Sequence, residues 1–312
     1  MVVARTIIHI GMPRTASTFL QREFFPKIED FKFYGVESTQ YSQAFQCLLY
    51  QDDSLFDEEE FEKTAAKIRA NNAILSNELF VGQSLYLNST NRSRTARRLK
   101  QFFPDAEIVI LLRNQVSLLQ SLYAIGVYSG HICSPEEFIR FSDMESTVEN
   151  PLYSTFAEAE TTEAYLFSHL IALYQSLFPK VHVLLFEDFM INPVAFAERL
   201  TTILNLEKVA LSASEKRVNK SLTARQIKLV KRLNLYKPVL NRGRFGKWLF
   251  SYKLRFIEHR LGGTGNFKFD KPLQKKLRNY YLADNRKLQK MLPHLSESAR
   301  FSEAYLNENQ DN

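Results

Sequence analysis

The chain has 312 residues, of which 45% are hydrophobic and 24% are charged, an ordinary globular balance that excludes a disordered, collagenous or repetitive fibrous protein. The formal net charge of +7 conceals a division, because residues 216–300 hold 23 Lys and Arg against 4 Asp and Glu, whereas the remainder is acidic overall. Two cysteines supply neither a disulfide framework nor a metal-ligand spacing, and no apolar run approaches the ~20 residues of a membrane span.

The predicted strands and helices alternate along the chain. Residues 5–11 form a β-branched run typical of a first strand, a loop follows at 11–17, and a predicted helix at 17–25 ends at Pro26. Strands alternating with helices predict an α/β fold, in which a mostly parallel central sheet is covered by helices on both faces. Further strands are predicted at 31–35, 73–76, 107–112 and 181–186, and further helices at 57–70, 92–103, 115–127, 161–178 and 193–204.

Residues 5–205 carry this alternation, and residues 215–300 are basic and mostly helical. No clean linker and no internal repeat separates the two parts, so we expect a single domain over 1–312 with a C-terminal helical extension. Segments 36–56 and 128–160 are predicted to be irregular and are candidate lids or acceptor-binding loops. The N-terminal sequence lacks a secretory-signal pattern, so a cytoplasmic protein is expected.

Polar residues follow three of the predicted strands. They are the loop 11–18, the pair Asn77-Glu78 and the pair Arg113-Asn114. Ligands of open α/β sheets bind at the carboxyl ends of the strands, where these residues converge. The convergence predicts a binding site at that edge of the sheet.

The first of these loops is close to the phosphate-binding P-loop, in which Gly and four further residues precede Gly-Lys-Ser/Thr. Gly11 is followed at that spacing by Ala16-Ser17-Thr18, so the Lys that serves the β- and γ-phosphates of ATP is absent. Backbone N–H groups, the hydroxyls of Ser17 and Thr18 and the charge of Arg14 still suit a nucleotide 5′-phosphate that carries one more anionic group. A P-loop kinase of a small molecule is an alternative, as is an ordinary strand-to-helix turn with a capping Ser.

Residues 9–21 resemble the 5′-phosphosulfate-binding loop of sulfotransferases, which use 3′-phosphoadenosine 5′-phosphosulfate (PAPS). The common form is Pro-Lys-x-Gly-Thr-Thr-x-Leu; here Arg14 stands for the Lys, as in tyrosyl-protein sulfotransferases, and Ala16 stands for the Gly. The resemblance implies a P-loop-NTPase-like three-layer fold. It also implies that the donor is bound by Pro13, Arg14, Thr15, Ala16, Ser17 and Thr18.

A second signature follows the strand at 107–112. The 3′-phosphate site of the family has the form Arg-Asn/Asp-Pro, with a Ser eight residues after the Arg; Arg113 and Ser121 match that spacing, and Gln115 replaces the Pro. A strand-end Arg offers two parallel N–H groups to a phosphate, although a helix-start salt bridge is the alternative role when this signature is taken alone. Three further segments resemble the family, the last two its bacterial members: 184–189, 217–222 and 280–288.

In the glycan sulfotransferases, a Gly- and Lys-rich loop before the closing helix covers the nucleotide. By position, its counterpart is 262–268, which adds Gly263, Thr264, Gly265 and Lys268 to the expected donor site. The rival is 243–248, which resembles the Gly-x-x-Gly-Asp-Trp of cytosolic small-molecule sulfotransferases, with Lys in place of the Asp. An ordinary turn is the alternative for either segment.

The acceptor hydroxyl needs a general base, and Glu78 is the candidate. It follows a short apolar strand, and glycan sulfotransferases often carry a catalytic Glu at about this place. Partial burial raises the pKa of a carboxyl toward neutrality and makes it a better base, whereas a structural carboxylate that binds Arg14 or a helix N-terminus is the competing interpretation. The resemblance implies catalysis by Glu78 and Arg14 without a metal. It further implies PAPS as donor, its 3′,5′-bisphosphate (PAP) as product, and a saccharide acceptor: a bacterial polysaccharide, oligosaccharide or glycolipid.

The basic segment leaves another class of function open, a protein that binds a membrane surface or a nucleic acid. A predicted helix there places apolar residues among Lys and Arg, which is typical of interfacial helices. We expect this apolar stripe to pack mainly into the core, with peripheral membrane contact as the alternative. Nucleic acid is not expected, because it leaves the two nucleotide signatures unexplained. The stripe consists of Trp248, Phe250, Tyr252, Phe256 and Ile257.

Overall fold

The structure is a computed structural model that describes residues 4–35, 39–82, 91–139, 162–207, 209, 222–237, 243–261, 265–296 and 299–306. Its centre is a five-stranded parallel sheet with the strand order β2-β3-β1-β4-β5. The predicted α/β class is therefore confirmed, and each strand lies within a residue or two of its predicted run. The strands are β1 Thr6–His9, β2 Lys32–Gly35, β3 Ala73–Ser76, β4 Glu107–Leu112 and β5 Lys180–Leu185.

Helices connect the strands and continue beyond the last of them. They are α1 Ser17–Phe19, α2 Thr39–Tyr50, α3 Glu58–Arg69, α4 Arg92–Phe102, α5 Gln115–Ser129, α6 Pro135–Phe138, α7 Phe167–Leu177, α8 Phe186–Ile191, α9 Pro193–Ile203, α10 Ala224–Leu235, α11 Arg244–Arg260, α12 Lys271–Met291, α13 Pro293–Ser296 and α14 Ala299–Phe301. Short helical turns occupy Leu20–Phe24, Phe25–Lys27, Glu78–Val81, Thr162–Tyr165 and Ser302–Leu306.

Alternate residues of the central strands enter two separate cores, which gives three layers. Ile7 and Val109 pack with the Leu20–Phe24 turn and α9 on one face of the sheet. Ile8 and Ile110 pack on the other face, where most of the remaining helices lie. These four side chains are fully buried, and burial of each contributes about 1.5–3 kcal/mol relative to exposure. The two-sided burial explains why the strands appear in the sequence as continuous apolar runs.

Two predicted boundaries near the N-terminus were wrong. The helical run that begins at Ser17 continues through Pro26 to Lys27, because Pro26 occupies the first positions of a short turn, where its missing N–H costs no hydrogen bond. The segment 36–56 was expected to be irregular, yet Thr39–Tyr50 is a helix. Its buried Phe45, Leu48 and Leu49 recur at the spacing of a helix face.

The basic C-terminal helices join the rest of the molecule through buried polar contacts. Gln115 Nε2 of α5 donates to Asn285 Oδ1 of α12 over 2.7 Å, and Tyr281 Oη donates to the Thr162 carbonyl over 2.9 Å. Asn234 Nδ2 of α10 donates to the Val127 carbonyl over 2.7 Å. Because buried polar groups need such partners, these contacts fix α10 and α12 against the helix that follows β4.

Only part of the apolar stripe of α11 packs inward as expected. Phe250 and Ile257 are buried, whereas Trp248, Tyr252 and Phe256 are exposed. The two buried residues lie seven positions apart and so share one side of the helix, which leaves the aromatic residues on the opposite side.

Candidate active site

The loop after β1 is held between its two neighbouring strands by backbone hydrogen bonds. The Met12 N–H donates to the Leu111 carbonyl over 3.2 Å, and the Leu111 N–H donates to the Gly11 carbonyl over 2.9 Å. On the other side, the Val81 N–H donates to the Ile10 carbonyl over 3.1 Å. These bonds bring the loop against the turn that follows β3, at the carboxyl edge of the sheet.

Gly11 makes the closest approach to that turn. Its φ is +100°, and a Cβ placed on it would lie 2.9 Å from the Glu78 Cα and 3.0 Å from the Glu78 carbonyl oxygen. Since backbone atoms cannot yield as a flexible side chain can, any larger residue must move Glu78 or the loop.

We therefore expect Gly11→Ala to destabilise the fold by roughly 1–3 kcal/mol, because it adds both positive-φ strain and a backbone clash. Urea unfolding measures this loss. Gly243→Ala is the matched control, since a Cβ there meets nothing within 4 Å. Equal stability of the two variants would show that the approach of Gly11 to Glu78 is not close in solution.

The loop itself is folded by its own hydroxyls. Thr15 Oγ1 and Ser17 Oγ both donate to the Met12 carbonyl, the latter over 3.2 Å. Arg14 and Ala16 adopt left-handed backbone conformations, with φ of 66° and 64°. Pro13, Thr15 and Ser17 are buried, whereas Arg14, Ala16 and Thr18 are partly exposed. The residues predicted to bind the donor thus divide into buried ones that shape the loop and partly exposed ones that solvent can reach.

Glu78 lies at the first position of the turn after β3, and its carboxylate faces this loop. Burial raises the pKa of Glu78 above its ordinary value, while the charge of Arg14 and a hydrogen bond with the Ser17 hydroxyl act in the opposite direction. The net shift is upward. Glu78, Arg14 and Ser17 are therefore brought together, as both interpretations of Glu78 required.

The second predicted signature meets the first at this edge. Arg14 Nε donates to Ser121 Oγ over 3.0 Å, and Arg113 Nη1 donates to the Arg14 carbonyl over 3.0 Å. Arg113 Nε donates to Ser117 Oγ over 2.8 Å. Two segments far apart in the sequence thus form one continuous set of polar side chains.

Arg113 is a partly buried cation. Its guanidinium lies over the Phe186 ring at 4.7 Å, and burial lowers its pKa to about 10, which leaves the group charged at neutral pH. The nearby Glu187 carboxylate accepts hydrogen bonds from the Asn114 N–H at 2.8 Å and from Tyr305 Oη at 3.2 Å. Among the described residues, neither Arg113 nor Arg14 forms an ion pair within 4.0 Å. Two adjacent cations without such partners are suited to bind an anion.

The segment predicted to cover the nucleotide is described in part, since Gly263 and Thr264 lie outside the described residues. Gly265 and Lys268 are exposed, and the rings of Phe267 and Phe269 pack on Tyr123 of α5 at 5.2 and 6.0 Å. Tyr123 follows Ser121 by two residues, so this segment is anchored on the same helix as the second signature. The rival segment 243–248 is not a loop, because α11 begins within it.

Four residues near the site were not predicted to contribute. Ser117 lies one helical turn after Arg113, and that spacing alone could have identified it. Glu187 lies within the segment 184–189 that resembles the family, and no local pattern points to Tyr305. His9 is fully buried, binds Ser76 Oγ through Nδ1 at 2.7 Å, and has its pKa lowered to about 3 by burial. It is therefore neutral at physiological pH and lies in the strand beneath the site.

The chain is similar to solved structures but not to any family model or curated protein. Among solved structures, the chain is similar to the crystal structure of a sulfotransferase from Alicyclobacillus acidocaldarius, with a TM-score of 0.38 and 20% sequence identity. The match covers 81% of this chain and 100% of that chain. Within the described ranges, no three His, Cys, Asp or Glu side chains are grouped as a metal site.

Proposed function

We propose that this protein is a PAPS-dependent sulfotransferase that transfers a sulfuryl group to the hydroxyl of an acceptor. The main support for the proposal is that four polar side chains lie together at the carboxyl edge of the sheet: Arg14, Glu78, Arg113 and Ser121. The arrangement combines two cations with a carboxylate whose pKa is raised. Transfer between a dianionic donor group and a hydroxyl needs these two elements, charge stabilisation and a base.

The donor fits the site by its two anionic ends. Backbone N–H groups of the loop, with Arg14 and Thr18, suit the 5′-phosphosulfate, and Arg113 with Ser121 suits the 3′-phosphate. Arg14 is assigned to the 5′-phosphosulfate and Ser121 to the 3′-phosphate. In this structure, however, Arg14 Nε and Ser121 Oγ are hydrogen-bonded to each other. We infer that donor binding replaces this bond, so that Ser121 turns to the 3′-phosphate and Arg14 turns to the sulfuryl group.

The reaction is then an in-line displacement at sulfur. Glu78 accepts the proton of the acceptor hydroxyl while the hydroxyl oxygen forms its bond to sulfur. The bond between sulfur and the 5′-phosphate oxygen breaks, and its electron pair stays on that oxygen, which leaves with PAP. Once donor binding has turned Arg14 toward the sulfuryl group, Arg14, Ser17 and Thr18 stabilise the charge that grows on that oxygen.

The acceptor is proposed to be a saccharide: a polysaccharide, an oligosaccharide or a glycolipid. The support is the resemblance to glycan sulfotransferases, with Glu78 where those enzymes often carry their base. A screen with radiolabelled PAPS across saccharides, glycolipids, protein tyrosines and small phenols tests the assignment. Labelling of a phenol or a tyrosine in preference to every saccharide would contradict it. Labelling from ATP with Mg²⁺, and none from PAPS, would favour the kinase alternative.

Arg113→Ala is expected to weaken binding of PAP by roughly a hundredfold, since it removes a buried charge from the proposed 3′-phosphate site. The wild-type protein should bind PAP more tightly than adenosine 5′-phosphate, and the variant should lose that preference. Isothermal titration calorimetry measures both ligands, with Arg97→Ala on the exposed side of α4 as the control. Equal wild-type affinities for the two nucleotides would contradict the assignment of Arg113.

A further inference from the structure

Helix α11 presents a continuous row of aromatic side chains to solvent. Phe245, Trp248, Tyr252 and Phe256, together called the aromatic stripe, have exposed fractions of 73%, 59%, 57% and 47%. Their spacing of three and four residues places them on one side of the helix. Four large exposed aromatic residues in one row exceed the scattered apolar residues that are normal on a surface, so the stripe indicates a binding surface.

The rings of the stripe stack on one another. The centroids of Phe245 and Trp248 lie 5.7 Å apart at an interplanar angle of 30°, and those of Trp248 and Tyr252 lie 5.7 Å apart at 17°. Bases of single-stranded nucleic acids and sugar rings bind aromatic residues through ring faces. Trp248 has a neighbouring ring in both Phe245 and Tyr252, so its faces are less accessible to a base or a sugar than those of an isolated ring.

Exposed cations flank the stripe on both sides. At about 100° of rotation per residue, Lys253 and Arg260 lie along one side of the stripe, and Arg255 lies along the other. Phe250 and Ile257, which attach the helix to the core, lie opposite the stripe. A shallow groove between α10 and α11 opens beside it, lined by Leu233, Tyr252, Lys253, Phe256 and Ile257.

We propose that α11 docks in the plane of an anionic lipid bilayer, with the aromatic stripe at the level of the headgroups and the flanking cations on lipid phosphates. An anionic bilayer is the proposed partner because its charge is complementary to that of residues 216–300, which hold 23 Lys and Arg against 4 Asp and Glu. Trp248 and Tyr252 each combine an apolar ring with a polar N–H or O–H group, which favours the membrane–water interface. The helix lies on the surface rather than across it, and no helix among the described residues is both long and apolar enough to span a bilayer.

The contact between α5 and α11 lies toward the C-terminal end of α5. Tyr128 Oη donates to the Glu258 carboxylate of α11 over 3.1 Å. Arg113 precedes α5 and lies about 20 Å from Tyr128 along the helix, and Ser121, in the middle of α5, lies about 10 Å from it. The proposal rests on the surface of α11 alone and stands independently of sulfuryl transfer.

Trp248 is the single tryptophan of the sequence, so its fluorescence reports directly on the stripe. We expect the emission of the full-length protein to shift to shorter wavelength with phosphatidylglycerol-containing vesicles, and brominated acyl chains to quench it. Pure phosphatidylcholine vesicles should produce a much smaller change. No shift and no co-sedimentation with anionic vesicles would overturn the proposal.

Matched variants separate the stripe from general charge attraction. The double variant Tyr252→Ser with Phe256→Ser keeps Trp248 and should weaken vesicle binding by roughly tenfold, whereas Tyr50→Ser with Leu55→Ser, exposed elsewhere, should not. Equal losses in the two pairs would contradict the proposal. Circular dichroism confirms that each variant is folded.

A second pair of variants tests the flanking cations and does not depend on the aromatic substitutions. Lys253→Glu with Arg260→Glu should weaken binding by at least about fivefold for each cation lost. Lys271→Glu with Lys275→Glu makes the same change in net charge on α12 and should have a smaller effect. Equal effects would show attraction by net charge alone. A single-stranded oligonucleotide that displaces the vesicles, and that Tyr252→Ser with Phe256→Ser no longer binds, would assign the surface to nucleic acid instead.

Discussion

Glu78→Gln is expected to lower the rate of sulfuryl transfer by roughly 10²–10⁴-fold while leaving the affinity for PAPS nearly unchanged. The amide has nearly the same size and shape as the carboxyl, but it cannot take a proton from the acceptor. Single-turnover transfer of radiolabelled sulfuryl measures the rate, and calorimetry with PAP measures binding. Glu136→Gln, an exposed carboxyl near the end of α5, is the control.

The pH dependence of the wild-type rate follows from the raised pKa of Glu78. A base must be deprotonated, so the rate should fall as the pH drops through that pKa, and the midpoint should lie above the ordinary value for Glu. The Gln variant should lack this limb of the profile. A variant that retains both the rate and the limb would exclude Glu78 as the base.

The raised pKa of Glu78 also predicts how Glu78→Gln changes the free energy of unfolding. A carboxyl whose pKa is raised by folding binds protons more tightly in the folded state, so its charged form costs stability above the folded pKa. Glu78→Gln should therefore increase the free energy of unfolding at neutral pH, and the gain should vanish as the pH falls below the unfolded pKa. A structural carboxylate that holds Arg14 in place would give the opposite sign, a loss of stability on substitution.

Arg14→Ala is expected to lower the transfer rate by roughly 10²–10³-fold and to lower the affinity for PAPS by a smaller factor. The guanidinium is assigned to the charge that grows on the leaving phosphate oxygen, which is greater in the transition state than in the bound donor. Single-turnover rates and PAP affinities of the variant separate the two effects. The control is Arg22→Ala, an exposed cation in the helical turn after α1.

The Arg14 substitution should also move the pH profile. Arg14 lowers the pKa of Glu78, so its removal should raise that pKa and shift the acid limb of the rate to higher pH. Arg14→Lys keeps the charge, matches the residue common in sulfotransferases, and should recover much of the rate although it loses the Nε contact with Ser121. Equal loss of PAP affinity and rate in Arg14→Ala would assign the residue to donor binding alone.

Strand positions and the main signatures could be predicted from the sequence because they are local. The run 107–112 is apolar on both faces of the strand, and it coincides with β4. The spacing of Arg113 and Ser121 requires only a strand end and the helix that follows. Helix Thr39–Tyr50 was missed although its pattern is present, because its three buried residues stand among polar ones.

Long-range contacts could not be predicted in the same way. The bond from Arg14 to Ser121 and that from Tyr305 to Glu187 join residues more than a hundred positions apart, and no spacing rule connects them. The exposure of the aromatic stripe of α11 could not be predicted from its own sequence either. The helix has apolar residues on two sides, and only the neighbouring helices decide that Phe250 and Ile257 enter the core.

The sequence by itself determined the α/β class and the position of the loop 11–18, Glu78 and Arg113 at strand ends, because strand periodicity and strand-end residues are properties of short segments. Only the tertiary structure decided that Arg14, Glu78 and Arg113 meet without ion-pair partners among the described residues, and that the aromatic stripe faces solvent. Both outcomes depend on which surfaces the folded chain buries against one another. Burial sets the pKa of Glu78 and the exposure of α11, and no single segment contains that information.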